Sequence, residues 1–303
     1  MQKLTSPTGR DIELKPVHPN VGVEAGFRRA LLKLLREVHE DISSAVLAAY
    51  RVDPPATATD ADPQFGTFWS SSAWNLQKIF KAKIAAWQGR LETLPGLMAK
   101  AFMGSAAGHA NRATMSALKS AGFTVRFQMS PVERDAIQGS INEQVGLIRS
   151  LAEKHLSDVQ GMVMRSVVAG RDVGGLAEEL RTRYDISARR AAFIARDQNN
   201  KATATITRAR QDEFGLQARW AHSGSGRHPR REHVLADGTV YDPAEGCLIG
   251  GKRIWPGQEP NCGCISLSII PGAGREGRYR GMSEKMRTAS LARSRSITRK
   301  RAA

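Results

Sequence analysis

The chain has 303 residues, 41% of them hydrophobic and 24% charged, with a formal net charge of +16 and a pI near 10.3. That length points to two domains, or one with extensions, and leaves enough apolar residues to bury a sizeable core. No apolar run reaches the roughly 18 residues that a membrane-spanning helix needs, and the polar Met1–Lys15 stretch lacks the apolar segment of a secretory signal. The chain is therefore expected to be made and kept inside a cell, with no membrane partner.

In chain order, residues 1–22 read as an extended arm, because Pro7, Gly9, Pro16, Pro19 and Gly22 oppose regular structure. A helix is expected from about Val23, where Phe27, Leu31, Leu34, Leu35, Val38, Ile42, Val46 and Tyr50 mark one apolar stripe; it ends before Asp53-Pro54-Pro55. A loop rich in Pro, Ala, Thr and Asp follows to about Gly66. A second helix runs from Ser71 to Thr93 on the face of Leu76, Phe80, Ile84, Trp87 and Leu91, and Pro95-Gly96 is expected to break it. A weaker helical stretch covers Leu97 to Ala121, with Gly122 as a left-handed cap. Alternation from Thr124 to Met129 predicts a short strand.

Ser130-Pro131-Val132-Glu133 is a helix-start signature. The serine accepts from the third helical amide, proline suits the first helical position, and the glutamate is expected to reach back to the serine amide. The helix it opens extends to about Ala169 and carries His155 on its apolar stripe, read as a core-edge histidine with a satisfied hydrogen bond. Asp172 is placed as the cap of a short helix through Leu176, Leu180 and Tyr184, and Ser187 as the start of another, ending at Phe214 before Gly215. Mid-helix, Arg196-Asp197-Gln198-Asn199-Asn200 is a run of poor helix formers, so it needs solvent or a docked neighbour. Strands are predicted at Leu216–Ala221 and Ile265–Ile270.

The fold class is α+β: a predominantly helical N-terminal body, a small C-terminal α+β knob and a disordered basic tail. The divisions are an arm at 1–22, a helical region at 23–129, a domain at 130–271 (helices 130–214, knob 216–271) and a tail at 272–303. From Arg275 onward ten Lys/Arg stand against Glu276 and Glu284, so +8 of the +16 lies in the tail. Arg293, Arg295, Arg299, Lys300 and Arg301 are its candidate DNA contacts, since a basic excess favours a polyanionic partner.

Candidate chemistry is concentrated between Trp220 and Pro271. All three cysteines (Cys247, Cys262 and Cys264) lie there, with His222, His228 and His233. Cys262 and Cys264 with His233 and His228, or with Cys247, offer the residue types of a tetrahedral zinc set. A C-x-C pair is tighter than the usual zinc spacing, so the favoured reading is structural, with no cofactor and zinc kept as the alternative. Arg230 and His233 share one side of a helical turn, and Asp237-Gly238 reads as a turn. No phosphate loop, H-E-x-x-H or G-x-S-x-G element is present, so no catalytic residue is assigned. A metal-dependent nuclease or transferase centred on His233, with His228, Asp237 and Asn261 gathered near it, is kept as an alternative, as is a nucleic-acid-binding protein driven by the tail.

The order of features carries a resemblance. Phe193-Ile194-Ala195-Arg196 on a helix is followed by Gly215, Trp220, Arg230-x-x-His233, Asp237-Gly238, a Gly-rich turn, and Pro260-Asn261-Cys262-Gly263-Cys264. This resembles the phage Mu F-like head-morphogenesis family, the minor capsid proteins of tailed phages, over about residues 130–271. The family pattern has Thr-Glu where this chain has Asp197-Gln198, and Arg where it has Gly263. The resemblance implies a virion component in the head interior near the portal vertex, assembled in the host cytoplasm. Its implied partners are the portal protein, capsid or scaffold proteins and phage DNA.

Overall fold

The computed structural model describes residues 3–53, 71–125, 128–169, 173–224 and 229–274. Among them four long helices dominate: α1 (Val21–Val52), α2 (Ser71–Ser120), α3 (Pro131–Ala169) and α4 (Val173–Glu213). The remaining elements are short. β1 (Ile12–Glu13) precedes α1; after α4 come β2 (Gln217–Ala221), α5 (Arg231–Leu235), β3 (Val240–Tyr241), β4 (Cys247–Ile249), β5 (Lys252–Ile254) and β6 (Ile265–Ile270). The chain divides into two compact units. One comprises Ala25–Ala101 and Ile141–Ala195; the other comprises Met1–Glu24, Phe102–Ser140 and the chain from Arg196 onward.

The first of these units is helical. The α1 stripe from Phe27 to Tyr50 is buried as its spacing predicts. Pro95 does not break the chain as expected, because α2 runs straight through it. Proline removes the N–H that would have bonded to the carbonyl of Leu91. Arg149 replaces it, its guanidinium donating to Leu91 O from Nε at 3.3 Å and Nη2 at 3.2 Å. Ser187 likewise fails to start a new helix, since α4 is continuous from Val173 to Glu213. Its buried hydroxyl is instead 2.9 Å from Nδ1 of His155. That histidine is 1% exposed, and its Nε2 lies 3.3 Å from Nδ1 of His39. Burial, then the neighbouring His39, pushes His155 down to about 4. The proposed cap Asp172 lies outside the described residues.

The second unit holds the sheet, ordered β1-β6-β2-β3 and antiparallel throughout, with β4 and β5 as a separate hairpin. The N-terminal arm supplies its edge: β1 pairs Ile12 with Ile270, and the amides of Leu4 and Ser6 donate to Phe214 O and Pro271 O at 2.9 and 2.8 Å. Asn20 then caps α1 by accepting from Val23 N at 3.0 Å, a start signal that the sequence reading passed over. Leu4, Leu14, Leu118, Phe214, Leu216 and Ile270 form one apolar cluster of this unit. On β6 the serines face inward: Gln211 of α4 donates to Ser268 at 2.9 Å and accepts from Ser266 at 3.0 Å, so the hydroxyls are buried with partners.

The expected strand over Thr124–Met129 is not formed at 124–125 or 128–129, and residues 126–127 lie outside the description. The carbonyl of Gln128 is taken by Arg210 at 3.1 Å. The helix start at Ser130 is confirmed, with Glu133 N donating to Ser130 Oγ at 3.1 Å. Glu133 itself does not reach back. It is fully buried, accepting from Asn111 at 3.0 Å and ion-paired with Arg210 at 2.5 Å. A buried carboxylate satisfied by a guanidinium wins over a cap bond that water could equally supply.

Candidate functional site

Gly215, at φ +65, ends α4 and turns the chain into β2. Trp220 on β2 is wholly buried in a second cluster with Ala236, Tyr241, Cys247, Cys262 and Cys264. The next turn is set by Gly238 at φ +80, and by Asp237, whose Oδ1 accepts from His222 N at 2.9 Å. The first half of this loop delivers α5, with His233 buried at 4% exposure and its ring edge-on to Trp220 at 5.0 Å.

The returning Pro260–Cys264 turn docks on α4 and supplies the neighbour that the polar run needs. Asp197 accepts from Asn261 N at 2.5 Å, and Asn200 donates to Cys262 O at 3.2 Å. Asn199 donates to Asn20 O at 3.0 Å. Lys201, at 3.1 Å, is the cation beside Asp197; Arg196 is exposed and takes no part. Asn261 adopts φ +55, among the described residues the one positive φ outside glycine, a conformation that asparagine tolerates better than most. Gly257 lets the loop approach closely: a Cβ there would meet Ala204 Cβ at 2.8 Å.

His233, Cys262 and Cys264 come together. Nδ1 of His233 is 3.5 Å from Cys262 Sγ and 3.8 Å from Cys264 Sγ. Its Nε2 is 3.2 Å from Glu259, which also pairs with Arg230 Nε at 3.0 Å, while Arg230 Nη2 donates to Pro260 O at 2.8 Å. Arg230 and His233 thus converge on one carboxylate, Glu259, which sequence reasoning missed; it lies three residues before Cys262 with no local pattern to mark it. The two thiols are within hydrogen-bonding reach of each other. A hydrogen bond from Cys264 pulls Cys262 below the ordinary cysteine range, and the same bond pushes Cys264 above it.

Of the expected metal-capable set, His228 lies outside the described residues. Cys247 is buried in the same cluster but does not join the converging group, and burial pushes its thiol up to about 12. The alternative gathering of Asp237 with His233 is not found, because Asp237 is turned to the His222 amide. Both ring nitrogens of His233 face protein groups, an arrangement that fixes the imidazole. The basic residues Arg293, Arg295, Arg299, Lys300 and Arg301 lie outside the described residues.

Fold and site together define a long-helical protein bearing a small sheet unit, whose cysteine turn is keyed to the last long helix. Residues 157–267, which include all of that helix and nearly the whole knob, match the family model described as Phage Mu protein F like protein. That segment is similar to the Mu F-like family. An uncharacterized protein of Haemophilus influenzae is 24% identical over 270 residues, covering 88% of this chain. The chain spans 58% of that relative's length. No solved structure matches. Among the described residues no helix is long and apolar enough to cross a membrane.

Proposed function

We propose that this protein is a minor head protein of a tailed phage, acting in head morphogenesis through contact with the portal and procapsid. The observation that carries the reading is the family match over 157–267. That segment includes the Asp197–Asn261 contact, by which the cysteine turn is keyed to α4. Asp197, Asn200 and Arg230 are used to hold the cysteine turn in place, which suits a protein that assembles with others. The basic tail complements this role: ten cationic side chains after the knob are suited to sequence-independent phosphate contacts beside packed DNA.

Two measurements test the proposal. Purified particles of the encoding phage should contain the protein, and it should co-purify with the portal protein from a lysate of producing cells; absence from both would refute it. Deleting residues 275–303 should remove most of a salt-dependent affinity for duplex DNA, and unchanged binding would refute the DNA contact alone.

A further inference from the structure

We propose that His233, Cys262 and Cys264 form a zinc site, with His233 Nδ1 and the two sulfurs as ligands. In a tetrahedral site with zinc–sulfur bonds of about 2.3 Å and zinc–nitrogen bonds of about 2.0–2.1 Å, the nitrogen-to-sulfur edges are about 3.6 Å. The observed edges are 3.5 and 3.8 Å, and all three donor atoms lie within 4.8 Å of one another. The site sits wholly within the sheet-bearing unit. It goes beyond the head-protein reading and does not depend on it.

Two further features favour a metal over a plain cluster of buried thiols, and a third is compatible with one. The second nitrogen of His233 faces the Glu259 carboxylate, which Arg230 holds in turn. This is the outer partner that orients a metal-bound imidazole and fixes its tautomer, with Nε2–H donated outward and the Nδ1 lone pair turned inward. Main-chain amides are aimed at the sulfurs, from Gly257 and Cys264 to Cys262 and from Ser223 to Cys264. Such donors stabilise thiolates and add little to thiols. Finally, a divalent cation with two thiolates and a neutral imidazole carries no net charge, so the loaded site is no more charged than the thiols it would replace at positions 3–5% exposed.

The donor set selects the metal class. Two thiolates and an imidazole suit zinc and disfavour magnesium or calcium, which take oxygen ligands. The turn is shaped in advance by the Asp197 and Asn200 contacts, so metal would lock α5 to an already formed loop. On binding, each of the two thiols loses its proton to solvent and each sulfur forms a bond to zinc; no oxidant or reductant is involved. No fourth His, Cys, Asp or Glu among the described residues converges on the group, and the fourth corner falls to a solvent oxygen.

The full chain, purified under reducing conditions without a metal-affinity step, should carry about one zinc per chain by elemental analysis. After chelation, cobalt(II) added alone should produce tetrahedral visible bands with thiolate-to-cobalt charge transfer. Cys262→Ser and Cys264→Ser should each lose the metal and the charge-transfer band, while Cys247→Ser should keep both. Wild-type protein that neither carries zinc nor gives the cobalt bands overturns the proposal without recourse to any variant. Zinc retained in full by both Cys262→Ser and Cys264→Ser overturns it too, as does a Cys262–Cys264 disulfide found in the protein as purified.

Discussion

Replacing Arg210 with methionine tests a fully buried ion pair, Arg210 with Glu133. Arg210 is 2% exposed and Glu133 fully buried, and the guanidinium binds Glu133, Glu213, Asn111 Oδ1 at 2.9 Å and Gln128 O at 3.1 Å. Methionine keeps much of the side-chain volume and removes every one of these bonds. Glu133 is then left as a buried carboxylate whose remaining donor is Asn111 at 3.0 Å. Removing one partner of such a pair costs about 3–5 kcal/mol, most of it the penalty of the charge left behind. That share disappears when the charge is removed as well, so the Glu133→Gln/Arg210→Met double variant should be more stable than Arg210→Met by about 1–3 kcal/mol. Urea unfolding followed by Trp fluorescence gives the four free energies of the cycle. An Arg210→Met cost below about 1 kcal/mol, or a double variant no more stable than Arg210→Met, would refute the reasoning.

Other perturbations follow from the same contacts. His155 is held neutral in the fold with its pKa at about 4, against 6.5 for the free side chain. The unfolded chain therefore takes up this proton first as pH falls. The histidine's contribution is complete above about pH 6.5, is lost between 6.5 and 4, and amounts to on the order of 3 kcal/mol. The gap in stability between wild type and His155→Gln should change across that window in urea titrations, and a constant gap would count against it. Asp197→Ala should cost about 1.5–3 kcal/mol by removing the charge-assisted bond to Asn261 N and should speed proteolysis of the Pro260–Cys264 turn; unaltered cleavage would show that the dock is idle. Arg149→Met should destabilise wild type but have much less effect in a Pro95→Ala background, where the restored backbone N–H can bond to Leu91 O itself; equal effects in both would deny the compensation.

Much of the helical architecture was legible locally. The α1 stripe, the Ser130-Pro131 start and the glycines at 122 and 215 each act within a turn or two of the chain, so spacing and residue type sufficed to place them. The two misplaced breaks failed for one reason: Pro95 and Ser187 are breakers only if nothing distant satisfies the backbone or the hydroxyl, and Arg149 and His155 do so. In the knob, sequence alone exposed a need without its answer. Asp197, Asn199 and Asn200 demanded partners, but that the Asn261–Cys262 turn and the Asn20 carbonyl would provide them is set by the return path of the chain.

What the sequence determined by itself was therefore the set of parts: long amphipathic helices, a short sheet unit, a Cys/His-rich loop and a basic end. These follow from periodicity, capping and glycine stereochemistry, which are properties of neighbours in the chain. Tertiary structure alone decided which parts meet. It made β1 an edge strand, buried Glu133 against Arg210, left Cys247 outside the converging group and set Glu259 behind His233. Pairings of this kind depend on the closure of long loops and on the desolvation of groups far apart in sequence, and no local pattern encodes either.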